Sequence, residues 1–297
     1  MVNDVKAVTP GSSGHSAGST PGSSGHSAGS TPGSSGHSAG STPDTQPVKS
    51  AERTIHILET LAASPTRMSL GELQEACKYP RSSLHALLRT LKDLRWIEAD
   101  ESGSRYGIGT HALLTGTSYL DKDSVVGRAA AVLEALRSDV RHTVHFARRD
   151  EDHVIYLASR GSKLEVRRMH RVGRKLPTHV TALGQALLAE LTTDEVTRLL
   201  PKTLERYTDD TIVDRDALIA ELAEVRRRGW SLEQEQGTVG VVCIATVVPY
   251  RIPATDALSV SMPAEVASYP GELERIAGVL TTHADAWARE LRTEGVR

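Results

Sequence analysis

The basic and hydroxyl side chains within residues 81–95 have the types and the spacing needed to bind a nucleic acid. On a helical wheel, Arg81, His85, Arg89 and Lys92 fall within about 80° of one another. Leucines recur on the other side of the same segment, so one face can be buried while the basic face stays in solvent. The major groove of DNA admits a helix, and residues near the helix start reach base edges. The segment therefore predicts a DNA-recognition helix.

Position and chemistry suggest a role for the polar residues of this segment and of the hairpin after it. Arg81 matches the bidentate geometry that guanine offers, whereas Arg89 and Arg95 are better placed for phosphates. Arg105, in the hairpin, is placed for the adjacent minor groove or the backbone. Two alternatives stay open: each residue is an ordinary solvated charge, or the whole element contacts a protein. The predicted DNA-binding residues are Arg81, Ser82, Ser83, His85, Arg89, Arg95 and Arg105.

A second set of polar residues, far along the chain, fits a small-molecule pocket. Ser259 and Ser261 are two positions apart on a predicted strand, so both point to one face. Cys243 alternates with apolar neighbours and faces the same layer if the two strands pair. Residues 178–181 precede a helix whose free backbone N–H groups favour an anion. Hydroxyls, a thiol and a helix start within an apolar wall suit a small acid, and Arg168 can pair with its carboxylate.

Each of these residues also has a structural explanation, which the sequence leaves open. Alternating serines often bond neighbouring backbone, and Cys243 can be a small core residue. His179 can make a structural hydrogen bond. Arg168 lies among other arginines and can be solvated or contact a second subunit. Glu233 and Glu235 can form salt bridges on a strand edge.

Catalysis by Cys243, with His179 as its base, is the rival function from another class. It requires the two side chains within hydrogen-bond reach and an oxyanion site. The sequence contains no Gly-x-Ser-x-Gly elbow, P-loop or Gly-x-Gly-x-x-Gly motif. His142 and His145 are three positions apart but have no third metal ligand nearby in the sequence. We therefore predict no catalytic residue, no metal site and no cofactor.

The elements before residue 110 predict a winged helix-turn-helix. Ile55, Leu58, Leu61 and Ala62 are expected on the buried face of the first helix. Ser69 is a candidate N-cap for the second helix. The elements are helices over 50–63 and 70–76, a third helix from Pro80 that carries Leu84, Leu87, Leu88, Leu91 and Leu94, and strands over 96–99 and 105–108.

The pattern after residue 110 changes to mixed helix and strand. A helix over 110–121 is expected to link two modules. Strands joined partly by hairpins and partly by helices indicate an α+β domain around an antiparallel sheet. Strands are predicted over 143–148, 153–159, 164–170, 230–235, 241–248 and 256–262, and helices over 124–138, 178–190, 193–200, 214–228 and 270–292.

The first 47 residues read as a polar tail. The unit GSSGHSAGSTP occurs three times in tandem over residues 11–43 and contains no large apolar residue that could stack. Gly, Ser and Pro at this density predict a flexible tether. Each unit carries one histidine, so weak metal capture is the alternative.

Composition and charge narrow the class of protein. The 297 residues carry a formal net charge of −2, which excludes a uniformly basic nucleic-acid binder. The two cysteines, Cys77 and Cys243, lie far apart, which argues against a disulfide framework or a zinc site of the usual spacing. No apolar run reaches the roughly 18 residues of a membrane span, and the N-terminus lacks the apolar core of a secretory signal. We expect a cytoplasmic protein with no membrane partner.

Several segments resemble the IclR-type family of bacterial transcriptional regulators, in order and at the family's spacing, over about residues 48–292. The N-terminal segments are residues 48–53 followed by ILETLA, and SLGELQEACKYPRSSLHALLRTLKDLRWIEAD. The C-terminal segments are VGRKLPTHVTALGQALLAEL, RRRGWSLEQEQGTVGVVCIATVV and ALSVSMPAE. The chain departs from the family pattern at Gln185, where lysine is usual, at Glu233, where aspartate is common, and at Met262, where glycine is usual.

The resemblance implies a GAF-like C-terminal domain that binds a small metabolite, often a carboxylate or an aromatic acid. It also implies homodimers, or dimers paired into tetramers, on partly palindromic operators. The pocket residues it implies are Arg168, Leu176, Ala182, Leu183, Glu233, Cys243, Ser259 and Ser261.

Together these observations predict a ligand-responsive regulator of transcription, a repressor rather than an activator, that binds double-stranded operator DNA and a small-molecule effector. The alternatives are a ligand-binding scaffold without DNA binding and a cysteine-dependent hydrolase. Effector binding is expected to change dimer geometry through the linker helix and so the spacing of two recognition helices. The predicted parts are a disordered tail over 1–47, the winged helix-turn-helix over 48–109, the linker helix over 110–123 and the effector-binding domain over 124–297.

Overall fold

Residues 48–161 and 172–296 are described by a computed structural model. Three helices open this part of the chain: α1 (Lys49–Ala63), α2 (Leu70–Cys77) and α3 (Arg81–Asp93). Ser69 caps α2 as predicted: its hydroxyl accepts from the Glu72 N–H, and the Glu72 carboxylate accepts from the Ser69 N–H at 2.6 Å. This reciprocal pair satisfies two backbone donors that the helix itself leaves unpaired. It fixes where α2 begins and therefore how α3 follows.

A three-stranded antiparallel sheet completes the N-terminal module. Its strands are β1 (Met68–Ser69), β2 (Ile97–Ala99) and β3 (Arg105–Ile108), in the order β1-β3-β2. The hairpin of β2 and β3 forms the wing, and the short strand β1, which was not predicted, adds to its edge. Helix α4 (Thr110–Lys122) then leaves the module.

The core of this module differs from the predicted one at three positions. Ile55 is 57% exposed, Leu94 is 58% exposed and Ala62 is also exposed, so these three expectations were wrong. In α1, the buried residues are Ile57 and Leu61, and Ile55 lies about 160° from Ile57 around the helix. In α3, the helix ends at Asp93, and the chain turns Leu94 outward before Arg95 takes a left-handed conformation with φ 63°.

A six-stranded antiparallel sheet forms the C-terminal domain. Its strands run in the order β6-β5-β4-β9-β8-β7. They are β4 (Thr143–Asp150), β5 (His153–Arg160), β6 (Lys175–Pro177), β7 (Ser231–Gln234), β8 (Val241–Val247) and β9 (Asp256–Pro263). The helices are α5 (Ser124–Val140), α6 (Ala182–Leu188), α7 (Thr193–Leu199), α8 (Arg215–Arg228), α9 (Ala264–Ala267) and α10 (Glu272–Thr293), with a 3₁₀ turn at Thr178–Val180 before α6.

The two faces of this sheet pack against different helices. Helices α5 and α10 cover one face, where Phe146, Leu258 and Val260 join the largest core cluster. Helix α6 covers the other face. Because side chains alternate along a strand, Ser259 on β9 points to the α6 face while its neighbours Leu258 and Val260 point away from it. The α6 face is therefore the one that can enclose a ligand.

The predicted α+β architecture, with a winged helix-turn-helix, a linker helix and an antiparallel sheet, is confirmed. The predicted helix over 178–190 is instead a 3₁₀ turn followed by α6, which Thr181 caps by accepting from the Gly184 N–H. Strand β6 and helix α9 were not predicted. The predicted strand over 164–170 and the tail over 1–47 lie outside the described residues. Within the described ranges, no helix is both long enough and apolar enough to span a membrane.

Candidate effector pocket and DNA-binding surface

A cavity of about 100 Å³ lies on the α6 face of the large sheet. The strands β4, β5, β8 and β9 form its floor, and the start of α6 and the segment after β7 form its walls. Seven of the eight residues that the resemblance implied line it, and the eighth, Arg168, lies outside the described residues. The seven are Leu176, Ala182, Leu183, Glu233, Cys243, Ser259 and Ser261.

Strand register brings the polar residues of the floor together. Cys243 on β8 lies opposite Ser261 on β9 and, on its other side, opposite Glu233 on β7. The Cys243 sulfur lies 3.1 Å from the Ser261 hydroxyl. Ser259 lies opposite His145 on β4. Directly opposite residues share a face of the sheet. Glu233, Cys243 and Ser261 therefore form one row of polar side chains across β7, β8 and β9.

Two glycines allow the walls to close over this floor. A Cβ on Gly184 would lie 2.2 Å from the carbonyl oxygen of Thr178, and a Cβ on Gly237 would lie 2.6 Å from that of Val180. Both are backbone contacts, so a side chain at either position would force the wall segments apart. Ser231 ties the α6 start to the sheet by donating to the Ala182 carbonyl at 2.7 Å.

Glu233 is the acidic group of the cavity. Its side chain reaches the cavity although the residue is only 3% exposed. Burial raises the pKa of the Glu233 carboxyl to about 7, against the opposing effect of the Gly237 N–H, which donates to it at 3.0 Å. The alternative role, a salt bridge on a strand edge, is not seen among the described residues: the hydrogen bonds to its carboxyl come from backbone N–H groups and a thiol.

Several lining residues were not predicted. His145 hydrogen-bonds through Nδ1 to the Ser159 hydroxyl at 2.8 Å, and its ring meets Tyr156 edge-on at 5.2 Å. Burial raises the pKa of the Tyr156 phenol. Arg174 is exposed at the mouth, where it was expected only as a neighbour of Arg168. Val180 and Thr181 lie in the segment 178–181 that was expected at the pocket, whereas the lining residues that were not predicted are His145, Tyr156, Arg174, Tyr207, Gly237, Thr238 and Val241.

His179 and Gln185 hold the wall from behind. His179 Nε2 bonds the Glu205 carbonyl oxygen at 2.9 Å, and burial lowers the pKa of its imidazole. Gln185 is fully buried and donates through Nε2 to the His179 carbonyl oxygen at 3.0 Å and to Gln236 at 2.7 Å. Both side chains make structural hydrogen bonds, which is the non-catalytic alternative considered for His179.

The predicted recognition helix presents its basic side to solvent. Arg81, Ser82 and His85 line an open groove at the start of α3, and Arg89 and Arg95 are also exposed. Ser83 is half-buried, because its hydroxyl accepts from the Arg53 guanidinium at 3.3 Å. The leucines behind them, Leu84, Leu88 and Leu91, are buried in the N-terminal core. The helix therefore has a buried side and a free polar side, as its sequence predicts.

Arg105 is held at the junction of the wing and α2. Its guanidinium pairs with the Glu72 carboxylate at 3.1 Å and donates through Nε to the Arg67 carbonyl oxygen at 3.0 Å. The Ser69 N–H, with a smaller contribution from Arg105, lowers the pKa of Glu72. Both partners are about half exposed, so Arg105 stays accessible.

Comparison with known proteins identifies the family of the chain that carries the pocket and the exposed basic helix. Residues 117–289 match the family described as bacterial transcriptional regulator IclR C-terminal, and residues 50–101 match the IclR helix-turn-helix domain. The chain belongs to the IclR family. The acetate operon repressor of Salmonella typhimurium is 32% identical over 224 residues, which are 74% of this chain and 81% of that protein.

Solved IclR-family structures share the fold. The regulator from Alicyclobacillus acidocaldarius has a TM-score of 0.72 at 24% identity and covers 82% of this chain and 99% of its own. An IclR homolog from Microbacterium hydrocarbonoxydans, complexed with 4-hydroxybenzoate, has a TM-score of 0.69 at 21% identity, with the same two coverages. This IclR-family chain is a ligand-responsive, DNA-binding transcriptional regulator.

Proposed function

We propose that this protein represses transcription from an operator. Its affinity for DNA is controlled by a small organic acid that binds in the cavity on the α6 face. The carrying observation is the convergence of Glu233, Cys243, Ser259 and Ser261 from three strands onto one enclosed space. A few polar groups within an apolar wall are typical of a site for a small polar ligand. Arg174 at the mouth supports a carboxylate, because a guanidinium binds it with two parallel hydrogen bonds.

The size of the cavity favours a short aliphatic acid. Its volume is about 100 Å³, which is smaller than the roughly 150 Å³ of an engineered apolar cavity that binds benzene. An aromatic acid is the second candidate, supported by the 4-hydroxybenzoate bound to the Microbacterium hydrocarbonoxydans relative. It would require the walls around Tyr207 and Thr238 to move outward.

The DNA contacts proposed are those of α3 and the wing. Arg81, Ser82, Ser83 and His85 act at or near base edges, and Arg89, Arg95 and Arg105 act on the backbone or the minor groove. We propose the domain boundaries 48–109 for the winged helix-turn-helix, 110–123 for the linker helix and 124–297 for the effector-binding domain. The matched ranges 50–101 and 117–289 support this division. We also propose that the regulator acts in the cytoplasm, where its DNA lies. The protein acts by binding and not by catalysis.

We also propose that the protein is a homodimer, or a pair of dimers, joined partly through α4. This helix has no buried residue, and Leu113, Leu114 and Tyr119 on it are between 49% and 66% exposed. Apolar groups concentrated on one exposed helix mark a protein contact. Two copies would place two recognition helices about one DNA turn apart on a palindromic operator.

A hydrogen-bonded path supports coupling between pocket and linker. Arg148 on β4 donates to the Tyr119 hydroxyl on α4 at 2.7 Å and forms ion pairs with Asp123 and Asp256. Asp256 begins β9, the strand that carries Ser259 and Ser261 into the cavity. A bound acid that moves β9 would therefore change the position of α4. The acid shifts the DNA-binding equilibrium only by its differential affinity for the two states.

The test is a graded panel of acids followed by footprinting. Acetate, pyruvate, lactate and benzoate are added to the full chain, and the melting temperature is recorded for each. We expect the short acids to raise it and to change protection of the DNA beside the protein's own gene. If none of the acids shifts melting, or if no fragment is bound in a salt-sensitive, sequence-dependent way, the proposal is wrong.

A further inference from the structure

The buried acid in the cavity conflicts with an anionic ligand unless a proton accompanies the binding. Glu233 and the carboxylate of an effector would lie together in about 100 Å³. Two carboxylates that share such a site cannot both stay ionised, because each raises the pKa of the other. The cavity must therefore either exclude anions or take up a proton when one enters.

Within the part of the chain that the structure describes, the hydrogen-bond partners of Glu233 include no cation. The Gly237 N–H donates to one carboxyl oxygen, and the other hydrogen-bond partners are the Gln236 backbone and the Cys243 thiol. None of the described groups that shift its pKa is a lysine or an arginine. The only acidic neighbour among them, Glu235, raises the pKa further. Even without ligand, this carboxyl holds a proton more readily than a solvated one.

The other titratable groups facing the cavity come from three strands and two loops. Arg174 lies at the exposed mouth, where it can attract an anion, and it is not among the described hydrogen-bond partners of Glu233. Tyr156 has a raised pKa because it is buried, so it is neutral near neutral pH. The described titratable lining residues other than Glu233 are His145, Tyr156, Arg174, Tyr207 and Cys243.

We propose that the pocket binds its carboxylate together with one proton, which Glu233 carries, so that the response of this regulator to its effector weakens as the pH rises. The inference rests on the proposed function, since it requires an anionic effector in this cavity. The proton comes from solvent and stays on the Glu233 carboxyl, which then donates a hydrogen bond to the effector carboxylate. No covalent bond forms or breaks in the ligand.

The expected size of the effect follows from the pKa of about 7 for Glu233. If only the protonated pocket binds the anion, the affinity is nearly constant below that value and falls tenfold per pH unit above it. Between about pH 6 and about pH 8, the affinity should fall about tenfold.

Calorimetry on the full chain tests the proposal. Each acid of the panel (acetate, pyruvate, lactate, benzoate) is titrated at both pH values, in phosphate and in Tris, whose ionisation enthalpies differ. Uptake of a proton makes the measured enthalpy depend on the buffer. For any acid that binds, we expect a loss of affinity of about tenfold from about pH 6 to about pH 8. The enthalpy should depend on the buffer at about pH 8, where the free pocket is ionised, and much less at about pH 6, where Glu233 already holds its proton.

Two variants assign the proton. Glu233→Gln keeps the shape of the side chain but cannot titrate, so its affinity should be the same at both pH values. His145→Gln removes the imidazole that lines the same cavity and, whatever its affinity, should keep the wild-type slope. A slope that survives in Glu233→Gln, or that disappears in His145→Gln, overturns the assignment.

The outcomes separate this inference from the function it rests on. If none of the acids binds the wild-type chain, the proposed function fails and this inference fails with it. If an acid binds with the same affinity at both pH values and with no buffer dependence, the proposed function stands and only the proton-coupled binding is wrong. The wild-type measurement decides this even if Glu233→Gln fails to fold.

Discussion

The two sheets of this protein carry charge in opposite ways. In the three-stranded sheet of the wing, the pair between Arg105 and Glu72 is about half exposed on both sides. In the six-stranded sheet, Arg148 pairs with Asp256, which is completely buried, and with Asp123, whose side chain is 16% exposed. Exposed charges contribute little to stability and remain free for a partner, whereas buried charges become costly when one partner is lost. The exposed charges of the wing are thus suited to contact DNA. The buried ion pairs of the large sheet are suited to fix the positions of the segments that they join.

The buried group of charges in the large sheet connects three parts of the chain. Asp123 lies between α4 and α5 and also caps α5 by accepting from the Val125 N–H at 2.9 Å. The Asp256 carboxylate accepts two hydrogen bonds from the Arg148 guanidinium, at 2.6 and 2.9 Å, and raises the pKa of Arg148 further. Removing the arginine would take the paired cation from both carboxylates at once.

Arg148→Met should give the largest effect of the changes considered. It leaves the buried Asp256 carboxylate without its cation, although the Tyr250 hydroxyl still donates to it, and breaking a buried pair in this way costs about 3–5 kcal/mol of unfolding free energy. Urea denaturation followed by circular dichroism measures the loss. Arg149→Met, on the next residue, whose guanidinium bonds only the Glu151 carbonyl in the described contacts, is the matched control and should cost far less. Equal effects of the two variants would mean that the buried charges do not hold the domain.

Glu233→Gln should come next, with a sign that depends on pH. The folded pKa of about 7 lies above the ordinary value of 4.5, so folding favours the protonated carboxyl. That contribution is fully present below about pH 4.5 and is lost as the pH rises through about 7. At about pH 8, the glutamine variant should therefore be about 2–3 kcal/mol more stable than the wild type, and near pH 4 equally stable. Urea denaturation at both pH values is the measurement, and a difference independent of pH would contradict the prediction.

On the exposed face of α3, Arg81→Ala and Arg89→Ala test separately the recognition of bases and the binding of phosphates. Losing a bidentate contact to guanine should cost about 1–3 kcal/mol of operator binding and relax sequence preference at one position. Losing a phosphate contact at Arg89 should weaken all sequences alike and reduce the salt slope by about one. Fluorescence anisotropy on a footprinted operator measures both. The acid-induced rise in melting temperature should stay intact, and its loss would indicate misfolding.

Arg105→Met should give the smallest change in stability. Its pair with Glu72 is exposed, so the midpoint of urea denaturation should not move measurably. Operator affinity should still fall, because the variant removes a positive charge from the wing. A clear loss of stability without a loss of DNA binding would reverse the contrast between the two sheets.

The sequence predicted the DNA-binding residues more completely than the pocket residues, for a physical reason. All seven predicted DNA-binding residues lie within 25 positions of each other, and helical periodicity places most of them without any tertiary information. The places where this reasoning failed are the ends of the pattern. Leu94 falls after the last turn of α3. Ile55 lies on the solvent side of α1, because apolar residues at helical spacing can be grouped into more than one stripe, and the sequence does not tell which stripe is buried.

The pocket required more than periodicity. Ser259, Ser261 and Cys243 could be placed on one face if their strands paired, and they do pair, with Cys243 opposite Ser261. His145 and Tyr156 were not predicted, although both lie on predicted strands, because nothing in a strand's alternation tells which strands are neighbours in the sheet. The order β6-β5-β4-β9-β8-β7 brings β4 beside β9 across more than a hundred residues of chain.

The sequence by itself determined the winged helix-turn-helix, its basic face, the antiparallel class of the second domain and the family, because these follow from short-range periodicity, capping residues and ordered motifs. Only the tertiary structure decided the burial of Glu233, the volume of the cavity and the pairing of Arg148 with Asp123 and Asp256. Burial and ion pairing depend on which distant strands lie side by side, and it is this proximity that sets the protonation of a carboxyl.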